Sequence, residues 1–156
     1  MDYFKATEQN LYNYNSLKAG MENLQQELEE EVYYGLPATN YDREPTCKTY
    51  AFHSATEESA IVAVERENRL KQRIKVLQSK IERIDRAISA LNATERLIIT
   101  ERYLEGKQWW QVAYKVQYNE RWCREIRKRA VHKVAIGLFG EEAQPEYSRK
   151  TARRIG

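Results

Sequence analysis

The chain has 156 residues, 42% of them hydrophobic and 31% charged, which is enough apolar side chain for one or two small packed domains. With 6 glycines, 3 prolines and no sustained alternation of polar and apolar residues, it is expected to be all-α. No apolar run approaches the ~18 residues that cross a bilayer, the first residues do not resemble a signal peptide, and the 2 cysteines are isolated, so we expect a cytoplasmic protein.

Charge is divided unevenly along the chain. Residues 1–58 carry 4 Lys and Arg against 11 Asp and Glu, whereas residues 59–156 carry 22 against 12. An acidic first part followed by a basic remainder favours a polyanion as the partner of the second part, although a charged helical surface gives a milder form of the same count.

Two long helices are predicted in residues 1–91. The first covers about residues 2–34 and carries apolar residues at alternating steps of three and four. Residues 35–55 contain two prolines and no period, so they are predicted to be a loop. The second helix follows, with an apolar seam over residues 60–91 that needs a helical partner. This partner is either the first helix folded back or a second copy of the chain, so we expect a helical hairpin or a coiled coil, the latter forming a homodimer.

Three short amphipathic blocks follow between residues 92 and 139, and they mark a separate domain. Asn92 is a helix cap and Gly106 is a suitable residue for the end of the helix that it starts. Two further helices are predicted at about residues 108–116 and 119–139.

The last two helices carry the residue spacing of a helix-turn-helix motif. Counting Trp109 as the first place, apolar residues occupy places four, eight, ten, fifteen and eighteen, and a small residue occupies place five. These residues are Val112, Val116, Tyr118, Cys123 and Ile126, with Ala113 at place five. A larger side chain at place five would push the two helices apart, so the spacing predicts a helix-turn-helix whose second helix lies in the major groove of DNA. Gln117 departs from the pattern, because many such turns carry glycine there.

Polar residues on the outward side of the second helix are the predicted DNA contacts. Arginine pairs with guanine edges or phosphates, and a glutamate among arginines accepts from cytosine, which indicates sequence reading. Two tryptophans are also included. Trp109 takes the apolar position, so its neighbour Trp110 and the later Trp122 are expected to be exposed. The predicted DNA-binding residues are Arg121, Arg124, Glu125, Lys128, Glu120, Trp122, Gln108 and Trp110. The alternative is a solvated, salt-bridged helix face.

Two segments of this region carry a family resemblance. NERWCREIRKRAVHKV, residues 119–134, resembles the recognition helix of sigma factor region 4, and TERLIITERYLEGKQW, residues 94–109, resembles the helix and turn before it. With its long N-terminal helical region and the ending RAVHKVAIGLFG, the chain resembles phage and prophage late-gene activators of the ArpU and RinA kind. The resemblance implies a transcriptional regulator that binds double-stranded DNA, mainly through Arg121, Arg124 and Glu125, and acts with bacterial RNA polymerase.

Two alternative functions remain open. A small terminase subunit would use the helix-turn-helix at a DNA packaging site and its helical region to build a ring, which oligomer mass would reveal. An interaction module that mimics sigma region 4 would bind polymerase without touching DNA. Such a mimic would have an acidic outer face, and Arg121, Arg124 and Lys128 oppose that interpretation.

Neither catalysis nor a bound metal or cofactor is expected. Cys47 and His53 make at most half of a metal site, and Cys123 is predicted to be a core residue. The sequence contains no phosphate-binding loop, nucleophile pair or converging carboxylates, so it does not suggest an enzyme. Residues 140–156 have no apolar face and are predicted to be a mobile basic tail.

Overall fold

The computed structural model describes residues 2–34 and 53–144. Within these ranges the chain is helical without a strand, which confirms the all-α prediction. The helices are α1 (Tyr3–Tyr12), α2 (Tyr14–Tyr34), α3 (His53–Ser89), α4 (Ala93–Ile99), α5 (Trp109–Val116) and α6 (Glu120–Phe139). A π-helical turn, Thr100–Leu104, continues α4, and a 3₁₀ turn, Gly140–Ala143, follows α6. None of these helices is long and apolar enough to cross a membrane.

Two compact units make up the described chain. The terminal unit combines Met1–Lys18 with Ser79–Gly156, and the hairpin unit is Ala19–Gln78. The boundary predicted at residue 91 therefore falls inside the terminal unit, because α1 packs on α6 and Arg83, near the end of α3, donates to the Leu138 carbonyl of α6 at 2.5 Å. Residues 35–52, most of the predicted loop, lie outside the described residues.

In the hairpin unit, α2 folds back against α3. Leu24 is buried against Leu70 and Ile74, with Met21, Leu28 and Leu77 packed around them. Farther along α2, Glu31 pairs with Arg66 at 2.5 Å, so the two helices run antiparallel. These apolar contacts follow the predicted seam of α3. For this part of the seam, the helical partner is α2 of the same chain.

The terminal unit is built around α6, which has α1 and α4 packed against it. The rings of Tyr3 and Phe139 lie 5.4 Å apart, and those of Phe4 and His132 lie 5.0 Å apart. Fully buried apolar residues come from five helices: Leu11, Ile84, Ile98, Ile99, Val112, Val131 and Val134. Ala143 is also buried, so the first residues of the predicted tail pack in this unit; residues 145–156 lie outside the described residues.

Candidate nucleic-acid interface

The start of α4 is fixed by a reciprocal cap. The Asn92 side chain accepts a hydrogen bond from the Glu95 backbone N–H at 2.8 Å, and the Glu95 carboxylate accepts from the Asn92 N–H at 3.3 Å. Lys133 Nζ donates to the same carboxylate at 2.7 Å. The contact with Lys133 holds α6 against the beginning of α4. The reciprocal bonds between Asn92 and Glu95 confirm the predicted cap at Asn92.

A three-residue turn joins α5 to α6. Gln117 adopts the left-handed conformation (φ 59°, ψ 35°), and the N–H of Tyr118 donates to the carbonyl of Ala113 at 3.2 Å. Asn119 then caps α6, its side chain accepting from the Trp122 N–H at 2.7 Å. The turn therefore adopts the left-handed geometry for which glycine is favoured, although the residue there is glutamine.

Gln117→Gly is expected to raise the free energy of unfolding by about 1 kcal/mol, because glycine adopts a left-handed conformation without the steric cost that a Cβ brings. Thermal or denaturant unfolding measures the change. Tyr114→Gly is the matched control, since Tyr114 is exposed in the middle of α5 and glycine there should cost about 1 kcal/mol. A loss of stability in both variants would contradict the role given to Gln117.

The residues beneath the turn form the predicted core. Val112, Ala113, Cys123 and Ile126 are buried together with Ile98, and Trp109 and Val116 pack against them. Burial raises the pKa of the Cys123 thiol, as expected of a core residue. Tyr118, predicted to be apolar core, is instead 47% exposed, because the chain reverses at Gln117 and leaves its ring outside the cluster.

The outward side of α6 presents the predicted charged residues. Arg121, Arg124, Glu125 and Lys128 are all exposed. Arg124 pairs with Glu120 at 3.1 Å, and Lys128 donates to Glu125 at 3.0 Å, a hydrogen bond that lowers the pKa of Glu125. Such exposed pairs within one helix are worth under about 1 kcal/mol, so either cation can exchange its partner for another anion at little cost.

Aromatic rings and arginines lie together on this part of the unit. The guanidinium groups of Arg102 and Arg124 lie 5.1 and 5.6 Å from the centre of the half-buried Trp109 ring. Trp122 is exposed, as predicted, and Arg129 lies 5.2 Å from its ring. Sequence reasoning missed Arg129; the seven-residue spacing from Trp122, two helical turns, is the signal that would have found it.

The two remaining predicted residues lie at the start of α5. Gln108 is exposed and caps this helix, its backbone N–H donating to the Gln111 side chain at 2.9 Å. Trp110 is exposed, and so is Tyr114 one turn later, which sequence reasoning did not single out. Six of the eight predicted residues thus lie on the first three turns of α6, and two lie on α5.

Below these surfaces, Glu101 ties the π-helical turn to α5. Its carboxylate is buried and accepts from Lys107 Nζ at 2.6 Å and from Lys115 Nζ at 2.5 Å. Both hydrogen bonds favour the ionised form and lower the pKa of Glu101. The arrangement is a structural clamp on α5.

Cys47 and the side chain of His53 lie outside the described parts of the chain. Among the side chains that the structure does describe, no three His, Cys, Asp or Glu are grouped as metal ligands.

The described helices define an all-α protein in which a three-residue turn joins α5 to α6. A protein-family model described as "Protein of unknown function (DUF722)" matches residues 6–135, most of the chain. The chain therefore belongs to this family, whose matched region runs from α1 into α6 and so includes both compact units. No curated protein and no solved structure matches the chain.

Proposed function

We propose that this protein is a sequence-specific regulator of transcription that binds double-stranded DNA. The observation that carries the proposal is the exposed face of α6, where Arg121, Arg124 and Lys128 surround Glu125 directly after a tight turn. A shared buried core holds α5 and α6 together beneath this face, so the two helices can approach a major groove together. The resemblance to phage late-gene activators supports a role with bacterial RNA polymerase at a phage promoter.

The composition of the face favours base reading over simple charge attraction. Arg121 has no hydrogen bond or ion pair to another described residue, and Arg124 has its exposed pair with Glu120 and its contact with the Trp109 ring. Both guanidinium groups can therefore reach guanine edges or phosphates. Glu125 would repel a phosphate brought close to it, but it can accept a hydrogen bond from cytosine, so its position restricts which sequences fit.

The test begins with selection of bound sequences from a random duplex library, followed by affinity measurements on the selected duplex. Arg121→Ala/Arg124→Ala is expected to weaken binding at least about thirtyfold, because each lost bidentate base contact costs about 1–3 kcal/mol. The same variant should distinguish the selected duplex from a scrambled one much less than wild type does, since two of the residues that read the sequence are gone.

Arg73→Ala/Arg86→Ala is the matched control, because both arginines are exposed on α3 and the pair removes the same charge. It should weaken binding only a few-fold and keep the preference for the selected duplex. Unchanged affinity in the α6 variant would overturn the proposal. Equal losses in both variants would leave charge attraction as the only interaction and would also overturn sequence-specific reading.

A further inference from the structure

Three arginines surround the ring of Trp109, the first residue of α5. The guanidinium groups of Arg102, Arg124 and Arg127 lie 5.1, 5.6 and 5.9 Å from the centre of this ring. A guanidinium within about 6 Å of a tryptophan ring is attracted by the negative charge on the ring face. Trp109 is half-buried and packs against the core that α5 and α6 share, so the core holds the ring while part of it stays accessible.

Two of these arginines are fixed by partners within the terminal unit. Arg102 donates its Nη1 to the Lys107 carbonyl at 2.8 Å, and Arg127 donates its Nη1 to the Glu8 carboxylate at 3.1 Å. Both side chains are half-buried. Because these two cations are themselves held in place, their attraction to the Trp109 ring helps to keep the ring in one position.

Arg124 differs from the other two arginines, because it lies on the candidate reading face of α6. Its side chain is 52% exposed, and its pair with Glu120 is a weak contact between two exposed groups. An exposed arginine samples many rotamers, and fixing it in the one that meets a base costs affinity. The contact with Trp109 restricts the guanidinium before DNA binds and so reduces this cost.

The chemistry of the guanidinium group lets Arg124 contact the ring and a base at the same time. The five N–H donors of a guanidinium lie in its own plane, so a guanidinium over an aromatic ring keeps donors for a guanine edge or a phosphate. The core position of Trp109 requires only an apolar side chain. The attraction of three cations, in contrast, depends on the aromatic ring itself.

We propose that Trp109 is a positioning residue for DNA recognition, whose ring restrains the Arg124 guanidinium in the orientation that reads a base pair. This inference rests on the proposed binding of DNA through α6. It extends that function by assigning part of the sequence preference to a half-buried residue that acts through Arg124.

A double-mutant cycle on the selected duplex tests this role. Trp109→Leu keeps an apolar side chain at the core and removes the ring, so it is expected to weaken binding about fivefold, the size of a half-buried cation–π contact. In a chain that already carries Arg124→Ala, the same substitution should weaken binding by less than about twofold, because the cation is gone. In the duplex selection, Trp109→Leu should reduce the preference only at the base pair whose preference Arg124→Ala abolishes.

Two further variants separate the ring from the core. Trp109→Phe retains a ring with a weaker attraction for cations, so its loss of affinity should be only about twofold. Val116→Ala is the matched control, because Val116 packs against the same core but has no ring. It should lower the midpoint of unfolding and leave the affinity of the folded chain within about twofold of wild type. Helical circular dichroism establishes that each variant is folded at the temperature of the binding assay.

The outcomes distinguish this role from the proposed function. A wild-type chain that selects no duplex would overturn the function and the role of Trp109 with it. If the wild type binds, equal losses from Trp109→Leu with and without Arg124 would overturn only the positioning role. Unchanged affinity in Trp109→Leu, or an equal coupling of Val116→Ala to Arg124→Ala, would also overturn it. If Trp109→Leu is unfolded, Trp109→Phe in both backgrounds decides by the same comparison.

Discussion

Leu11→Ala is expected to lower the free energy of unfolding of the terminal unit by about 3 kcal/mol, the usual cost of removing a fully buried leucine side chain. Leu11 has no exposed surface, and its helix, α1, packs against α6. All 3 tryptophans of the chain lie in α5 and α6. Denaturant unfolding followed by tryptophan fluorescence therefore reports on the proposed DNA-binding helices, far along the chain from the substitution.

Polar contacts make the same connection between α1 and the later helices. The Glu8 carboxylate accepts hydrogen bonds from the Tyr103 hydroxyl and from Arg127 Nη1, the latter at 3.1 Å. Burial, together with the bond to Glu8, raises the pKa of Tyr103, so this hydroxyl stays a donor. Loosening α1 would leave Arg127 half-buried without its carboxylate, which adds to the loss from Leu11.

Gln9→Ala is the control for this experiment, because Gln9 is exposed on the same helix and its loss should change stability by no more than about 0.5 kcal/mol. The midpoint of the tryptophan transition should shift with Leu11→Ala and stay in place with Gln9→Ala. An unshifted midpoint in both variants would mean that α1 contributes nothing to the stability of α5 and α6.

The packing of α1 on α6 could not be predicted from the sequence, although much of the local structure could. Caps and turns depend on a few neighbouring residues, so Asn92, Gly106 and Asn119 indicated where helices begin and end. The apolar pattern of an amphipathic helix does not show which other helix packs against it. Thr7 and Leu11 are buried in the terminal unit, whereas Leu24 on the next helix is buried in the hairpin unit.

For the candidate site, the sequence predicted the exposed face of α6 and the small residue at Ala113, because helical spacing decides which residues share a side. It did not predict the exposure of Tyr118, since the path of a turn depends on the conformation at Gln117. Nor did it predict that Glu101 is buried. A glutamate is ordinarily solvated, and only the fold shows that two lysines from beyond the π-helical turn meet its carboxylate.

Glu101→Gln is expected to lower the free energy of unfolding at neutral pH by about 2 kcal/mol, because the substitution keeps the shape and removes the charge that two lysines bind. Lys107 and Lys115 are partly exposed and can turn to water, which limits the loss. Glu105→Gln, an exposed neighbour, is the matched control and should have almost no effect.

The dependence on pH separates the charge of Glu101 from its packing. The folded-state pKa of Glu101 lies below its ordinary value of 4.5, so the stability that its ionised carboxylate provides is present above that value. It is lost as the pH falls through the folded-state pKa. Wild type and Glu101→Gln should therefore differ by a constant amount from neutral pH down to about pH 5 and converge in more acidic solution. A difference that stays constant through the acid range would assign the effect to packing and contradict the clamp on α5.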